Sequence, residues 1–461
     1  MDRSVAMIAD VVAECANGIP AGAYADAGFA HYVFLGAAGP YARSCPLGSE
    51  RRLNAASQAV PLFSWDEREM AQEWGVRFVG MPDDRPLHAS HGEMPAARTA
   101  SGDGIMRFVV GPVHAGIIES GRFTFSSGGE TVVHLDAQLG YGHRGVERAL
   151  AGTAAVEAAA KVARICGGCS AARSYAYALA LEALAGVEPE PEIDLARLIA
   201  AELERVYNHL ADVAACASGA GYAAGFARGM ALKERAMRLC REACGHRLLF
   251  DAIAPGGLGR PMLEDRLQFG SELADLERDV AAYLKGLFAN ASLTSRWERA
   301  GVVPPDTLQA FGAVGPAARA GGGSLDLRTF APYGAYRRID CAVAGATASD
   351  AFARAAVKRD ELVESLTLIR RALHELGTAE LPPSQFVEPR AGIALTAVEG
   401  PRGTEFVAVH ADERGVIERL HVISASYRNW PLVARAMENN IVPDFPLVNK
   451  SFNLCYACAD R

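Results

Sequence analysis

Two cysteine pairs of the form C-x-x-C stand far apart in the chain, Cys166 and Cys169 in "RICGGC" and Cys455 and Cys458 in "NLCYAC". Together they offer four thiolates. Such sulfurs are soft ligands that select zinc, copper(I), nickel and iron over magnesium or calcium. Two C-x-x-C pairs are the usual source of a structural zinc cage, but zinc ribbons space their pairs by about 15 to 20 residues. Here almost a whole helical domain lies between them. If both pairs bind one metal, the second pair must be drawn into the middle of the fold and held there instead of fraying. Disconnected structural cysteines and a redox C-x-x-C are the other readings, although neither pair follows the strand-then-helix context of a thioredoxin-like motif.

The elements that must bring these pairs together can be read from periodicity. Leu195, Leu198, Ile199, Leu203, Val206, Leu210 and Val213 recur at three- and four-residue intervals. So do Leu273, Leu276, Val280, Leu284 and Leu287, and again Leu362, Leu366, Ile369, Leu373 and Leu376. The spacing predicts core-facing helices of a bundle. Ahead of them, "GRFTFSSGGETVVHLDAQ" reads as a β-hairpin turning at Ser-Ser-Gly-Gly. After them, "AGIALTAVEGPRGTEFVAVHADERGVIERLHVIS" reads as strands broken at Gly-Pro-Arg-Gly and Asp-Glu-Arg-Gly. The predicted fold class is α+β, a long-helix bundle with small β-sheets at both ends. Residues 1–100 are Ala-, Gly- and Pro-rich with few periodic segments and read as an appended N-terminal unit before a main domain over 101–461.

The chain has 461 residues, half of them hydrophobic, with ten cysteines and a formal net charge of -8. That balance argues against a sequence-independent nucleic-acid binder, which needs clustered Lys and Arg. The N-terminal stretch lacks the pattern of a signal peptide, no run is long and apolar enough to span a membrane, and the dispersed cysteines read as reduced thiols. The expected location is the cytoplasm.

The ordered series "GPVH", "GYGHRGVE", "RICGGC", "VGPAARA", "EGPRG" and "NLCYAC" resembles the large subunit of the energy-converting, membrane-associated nickel-iron hydrogenases (group 4, formate hydrogenlyase type). These are homologous to the 49 kDa subunit of complex I. The likeness covers roughly residues 105–461, and "SWDEREMAQEWGVRFVGMPDDRP" resembles the tail of the complex I 30 kDa subunit, here truncated.

The resemblance implies reversible heterolytic cleavage of dihydrogen at a nickel-iron centre whose iron carries CO and CN ligands. Electrons would pass to an iron-sulfur cluster in a partner small subunit, and the complex would sit on membrane-arm subunits at the inner face of the cell membrane. On it, Cys166 and Cys455 would be terminal ligands of nickel, and Cys169 and Cys458 would bridge nickel and iron. Glu119 would relay protons, a role that burial would favour. Arg402 would overhang the open metal position. Arg144, Glu147 and Arg164 would face the small subunit and its cluster.

Two departures concern the surroundings of the ligands. Arg173 stands where the family has a histidine, and Asn453-Leu454 replaces Asp-Pro. Arginine still donates hydrogen bonds but brings a fixed charge. The alternatives are a 49 kDa-like quinone-reactive subunit without hydrogenase activity, disfavoured by Ile118 where that family has a second histidine, and a non-catalytic assembly subunit.

Overall fold

The computed structural model describes residues 3–89, 93–115 and 118–461. Helix α1 (Arg3–Asn17) leads into an antiparallel sheet of β1 (Ile19–Ala25), β2 (Phe29–Gly36) and β3 (Gly39–Pro46), in the order β1-β2-β3. The segment from Ser64 to Trp74 is helix α2, stopped by Gly75 in the left-handed region at φ 64°. The N-terminal residues are thus more regular than their sequence reads. The reason lies in β2, which is buried on both faces and so shows no period-two alternation. Tyr32 and Phe34 pack with Val11, Phe63 and Met70 in a small local core. Val33 and Leu35 point the other way into the main core.

The predicted hairpin is present as β5 (Arg122–Gly128) and β6 (Thr131–Gln138), extended by β4 (Ile105–Val110) into a three-stranded sheet. The bundle follows: α3 (Ser170–Ala185), α4 (Pro191–Gly219), α5 (Ala223–Cys244), α6 (Arg266–Phe288) and α7 (Ala351–Leu376). A second antiparallel sheet, β7 (Gly392–Gly400), β8 (Gly403–Ala411) and β9 (Ile417–Ile423), turns where Gly-Pro-Arg-Gly and Asp-Glu-Arg-Gly foretell it. Helices α8 (Ala425–Met437), α9 (Phe445–Phe452) and α10 (Tyr456–Asp460) complete the chain. The α+β class with sheets at both ends of a bundle is what forms. No helix among the described residues is long and apolar enough to cross a membrane.

Helix α4 sits at the centre, packed by α5, α7 and α9. Its apolar stripe faces the core as the spacing predicts, but its polar positions are buried too: Arg197, Glu202, Glu204, Arg205, His209 and Asp212 are all fully inaccessible. Buried charges persist only when paired, and each finds partners on other elements. Arg197 meets Glu182 at 2.5 Å, and Glu202 takes both Arg205 and Arg328 at 3.1 Å. His209 meets Glu361 at 2.8 Å. Arg319 joins Glu361 at 2.7 Å to Glu399 at 2.9 Å. This charged interior orients α4, and α4 in turn carries the walls of the site.

Candidate metal centre

The first cysteine pair lies on the tight loop before α3. Two side chains from α4 pin it: the Tyr207 hydroxyl donates to the Gly167 carbonyl at 2.9 Å and the Asn208 amide to that of Gly168 at 2.8 Å. Glu204, also on α4, accepts from the free N–H groups of Ala171 and Ala172 at 2.6 and 3.0 Å, so it caps the start of α3. Burial pushes its carboxyl up to about 8 despite those donors. A Cβ on Gly168 would lie in ordinary contact with the sulfurs of Cys455 and Cys166, at 3.5 and 3.7 Å, so the loop backbone runs directly beside them.

The second pair arrives by a different route. Helix α9 ends at Asn453 in the left-handed conformation (φ 51°, ψ 51°), a position asparagine tolerates well. The chain then turns back through Cys455. Its N–H donates to Ser426 Oγ at 3.0 Å, and its carbonyl accepts from the Trp430 indole at 3.2 Å. Ser424 Oγ donates to the Cys458 carbonyl at 3.1 Å. The Asp460 carboxylate receives the N–H groups of Gly140 and Gly142 at 2.7 and 2.9 Å, and the Arg461 side chain is buried against Glu69 and Glu147. The terminus is therefore tied down by the protein itself.

The four sulfurs of Cys166, Cys169, Cys455 and Cys458 lie within 4.8 Å of one another, those of Cys169 and Cys458 3.7 Å apart. None of the ten cysteines forms a disulfide. Hydrogen bonds from the other three thiols, helped by the nearby Arg402 charge, hold Cys455 well below the ordinary thiol range against the effect of burial. Four soft sulfurs within 4.8 Å of one another, three on buried residues and that of Cys455 on a partly buried one, are a donor set that fits a thiolate-bound metal.

Two buried arginines flank this set. Arg173 donates through Nη2 to Cys458 Sγ at 3.3 Å and to Glu405 at 2.8 Å, while its Nε and Nη1 have no partner among the described residues. Burial pushes the Glu405 carboxyl up to about 7, opposed by Arg173. Arg402 donates to the Asn453 carbonyl at 2.5 Å and to Asn208 Oδ1 at 2.8 Å, and lies 3.4 Å from Asp212. Burial alone would raise Asp212, but Lys358, at 2.8 Å, and Arg402 keep its carboxyl far below the usual range. The Asn453 side-chain amide also donates to Asp212.

The other candidate residues scatter around this centre. Glu119 accepts the N–H of Ala457, inside the second cysteine motif, at 2.7 Å, yet it is exposed, so the burial that would favour proton relay is missing in the isolated chain. Arg144 donates to the carbonyls of Ile165 and Ala457 at 2.8 and 3.2 Å, which links the two cysteine loops. Arg164 is half-exposed and paired with Asp251 at 2.7 Å. Glu147 does not face outward as expected. It is buried, and receives Arg419, His421 and Arg461, because α10 and β9 close over it.

Sequence reading missed Asn208, Asp212, Lys358 and Glu405, which support the two arginines. The available signal was weak: polar positions in "ERVYNHLADV" that break an otherwise apolar helix.

A family profile described as "Respiratory-chain NADH dehydrogenase, 49 Kd subunit" matches residues 220–385 and 382–461. The chain is 28% identical over 431 residues to formate hydrogenlyase subunit 5 of Escherichia coli, a match covering 87% of this chain and 76% of that protein. It is 27% identical over 369 residues to the membrane-bound hydrogenase subunit alpha of Pyrococcus furiosus, covering 76% and 86%. It is also 28% identical over 328 residues to a C/D-type NADH-quinone oxidoreductase subunit of Bacteroides thetaiotaomicron, covering 70% and 61%.

Proposed function

Because the chain belongs to the family of the 49 kDa subunit of respiratory-chain NADH dehydrogenase, an oxidoreductase family, and carries four converging thiols, we propose that it is the metal-bearing large subunit of a nickel-iron hydrogenase. The observation that carries this reading is the meeting of Cys166, Cys169, Cys455 and Cys458 at one buried point between two arginines. Relatives named as hydrogenase subunits support it.

Cys166, Cys169, Cys455 and Cys458 would together hold the nickel-iron group. Loaded with CO- and CN-bearing iron, the centre would supply the redox site at which dihydrogen is split into, or formed from, two protons and two electrons. The chain's own groups tune that site. Arg402, fixed by Asn453, Asn208 and Asp212, presents a permanent charge beside Cys455 and needs no reorganisation during turnover. Arg173 stabilises thiolate character on Cys458, and Glu405 balances its charge. Glu119, hydrogen-bonded to the second cysteine loop, would carry protons between the centre and water. Its burial would come from a partner subunit.

Electrons leave through an iron-sulfur small subunit, with Arg164 on the exposed surface facing it and Arg144 bracing the cysteine loops behind. The assembly is held at a membrane arm, as the relative named membrane-bound suggests. Residues 1–100 would be a 30 kDa-like unit; the small local core between Ile8 and Val76 supports this reading.

Metal analysis with infrared spectroscopy of the purified complex tests the reading. Nickel near one per chain, iron in excess of it from the partner's cluster, and carbonyl and cyanide bands are expected; a complex without nickel and without such bands refutes it. Hydrogen-dependent reduction of a viologen dye should vanish in Cys455→Ser while the complex still assembles. The quinone-reactive alternative rests on the NADH-quinone oxidoreductase relative. The local geometry lends it little support, since the His114 ring is spent on the Gly121 carbonyl at 2.7 Å and Ile118 offers no polar group.

A further inference from the structure

A second cluster of metal-ligating side chains lies away from the thiols, where the N-terminal sheet meets the C-terminal one. Asp26 comes from the β1–β2 turn, His31 from β2 and His410 from β8, and one donor atom of each lies within 4.8 Å of the others. The hydrogen bonds around them are divided in an informative way. Asp26 Oδ1 is used by the turn, accepting the N–H groups of Gly28 and Phe29 at 2.8 and 2.7 Å, so Oδ2 is left facing the histidines. His31 Nδ1 is bonded to Ser44 Oγ at 2.8 Å, which aims Nε2 at Asp26. His410 Nε2 is bonded to the Tyr24 hydroxyl at 2.9 Å, which aims Nδ1 at the same oxygen. The Tyr24 ring also stacks on His31, with centroids 4.7 Å apart.

Each residue thus has one polar atom fixed by a protein partner and another turned to a common point, where His31 Nε2 and Asp26 Oδ2 are hydrogen-bonded to each other and a metal would take the place of the proton. That is the outer-shell pattern of metal-binding histidines. The spacing agrees: Asp26 Oδ2 lies 2.9 Å from His31 Nε2 and 3.6 Å from His410 Nδ1. Ligands on a tetrahedral zinc ion with bonds of about 2.0–2.1 Å are roughly 3.3 Å apart. The cluster opens on a cleft of about 570 Å³ that is also lined by Asp412, Glu413 and Glu418, giving water access and an acidic approach for a cation. The neighbouring Arg419 charge is committed to Glu147 at 3.0 Å. By contrast, the buried Glu69, Glu147 and His421 group is already balanced by Arg419 and Arg461, which leaves no role for a metal.

We propose that Asp26, His31 and His410 form a three-ligand site for a zinc-class divalent ion, with water completing the coordination, that clasps the N-terminal sheet to the C-terminal one. The donor set of two imidazoles and one carboxylate suits zinc, and the site is independent of the thiolate centre.

The test is a zinc titration of the full chain against a chromophoric chelator, comparing wild type with Asp26→Asn and His410→Gln. Asp26→Asn keeps the oxygen that the turn needs. Wild type should bind one more zinc per chain than either variant, or the variants should bind that equivalent about 100-fold more weakly; Ser44→Ala should weaken it about 10-fold. Cobalt separates the two centres, because the equivalent lost in the variants should lack the thiolate-to-metal charge-transfer band. Anomalous scattering at the zinc edge should place an ion beside His31 and His410. Equal zinc stoichiometry and affinity in wild type and Asp26→Asn, with circular dichroism unchanged, would overturn the assignment.

Discussion

Replacing Asn453 by aspartate restores the residue that the resembled family carries before its second cysteine motif, and the structure predicts that this harms the protein. The Asn453 amide donates to Asp212, a fully buried carboxylate. In Asn453→Asp two carboxylates meet at hydrogen-bond distance. Two unit charges about 3 Å apart at an effective dielectric of about 20 repel by roughly 5 kcal/mol. Arg402 and Lys358 reduce this, and the new side chain escapes the rest by keeping a proton. Holding a proton at pH 7 on an acid of ordinary pKa near 3.9 costs about 4 kcal/mol, which caps the loss. The expected destabilisation is therefore about 2–4 kcal/mol near neutral pH.

The sign of the pH dependence follows from linkage. A carboxyl whose folded pKa is raised binds more protons folded than unfolded, so stability is present at low pH and lost as pH rises from about 4 through the raised value. At pH 5 the cap falls to about 1.5 kcal/mol. Urea unfolding midpoints of the metal-free chain at pH 5 and 7.5 measure it. Asn453→Gly, which keeps the left-handed backbone but removes the donor, should lose about 1–3 kcal/mol at both pH values. If the aspartate variant tracks the glycine variant at both, the repulsion argument fails.

Three further outcomes are expected. Arg173→Met leaves Glu405 buried without its cation and should lower unfolding stability by about 3–5 kcal/mol, read from urea midpoints. Glu119→Gln keeps an acceptor for the Ala457 N–H but cannot carry a proton; hydrogen-dependent dye reduction should fall about 100-fold or more with metal content unchanged, and an unaltered rate would remove Glu119 from the proton path. His88 is buried with neither ring nitrogen bonded among the described residues, and burial pulls its pKa down to about 3. The unfolded chain takes up that proton near pH 6.5 and the folded one does not, so stability drains as pH falls below about 6.5; His88→Phe should remove about 1–2 kcal/mol of the difference between unfolding at pH 7.5 and pH 5.

What could be read from the sequence was whatever repeats locally. Ser-Ser-Gly-Gly marked the β5–β6 hairpin, the three- and four-residue leucine spacing marked α4, α6 and α7, and the paired cysteines marked four candidate ligands. What could not be read depends on non-local neutralisation. Nothing near Arg197 in the chain announces that Glu182 and the carbonyls of Ala254 and Gly257 will enclose it. Glu147 looked like a surface charge because its partners Arg419, His421 and Arg461 arrive from more than 270 residues away. Strand β2 escaped notice because a strand buried on both faces has no alternation to detect. Asp212 and Lys358, which hold Arg402 in place, are single polar letters within helical runs.

The charged interior around α4 also constrains how such a chain can change over time. Glu182 on α3 and Arg197 on α4 are matched across two elements. A lone substitution at either member strands a charge in the core, whereas an exchange of both for apolar residues of similar volume is close to neutral. Accepted changes at these positions should therefore come in couples, so related sequences should show them retained or lost jointly. Covariation between positions 182 and 197 would be the inherited trace of an interior built from ions.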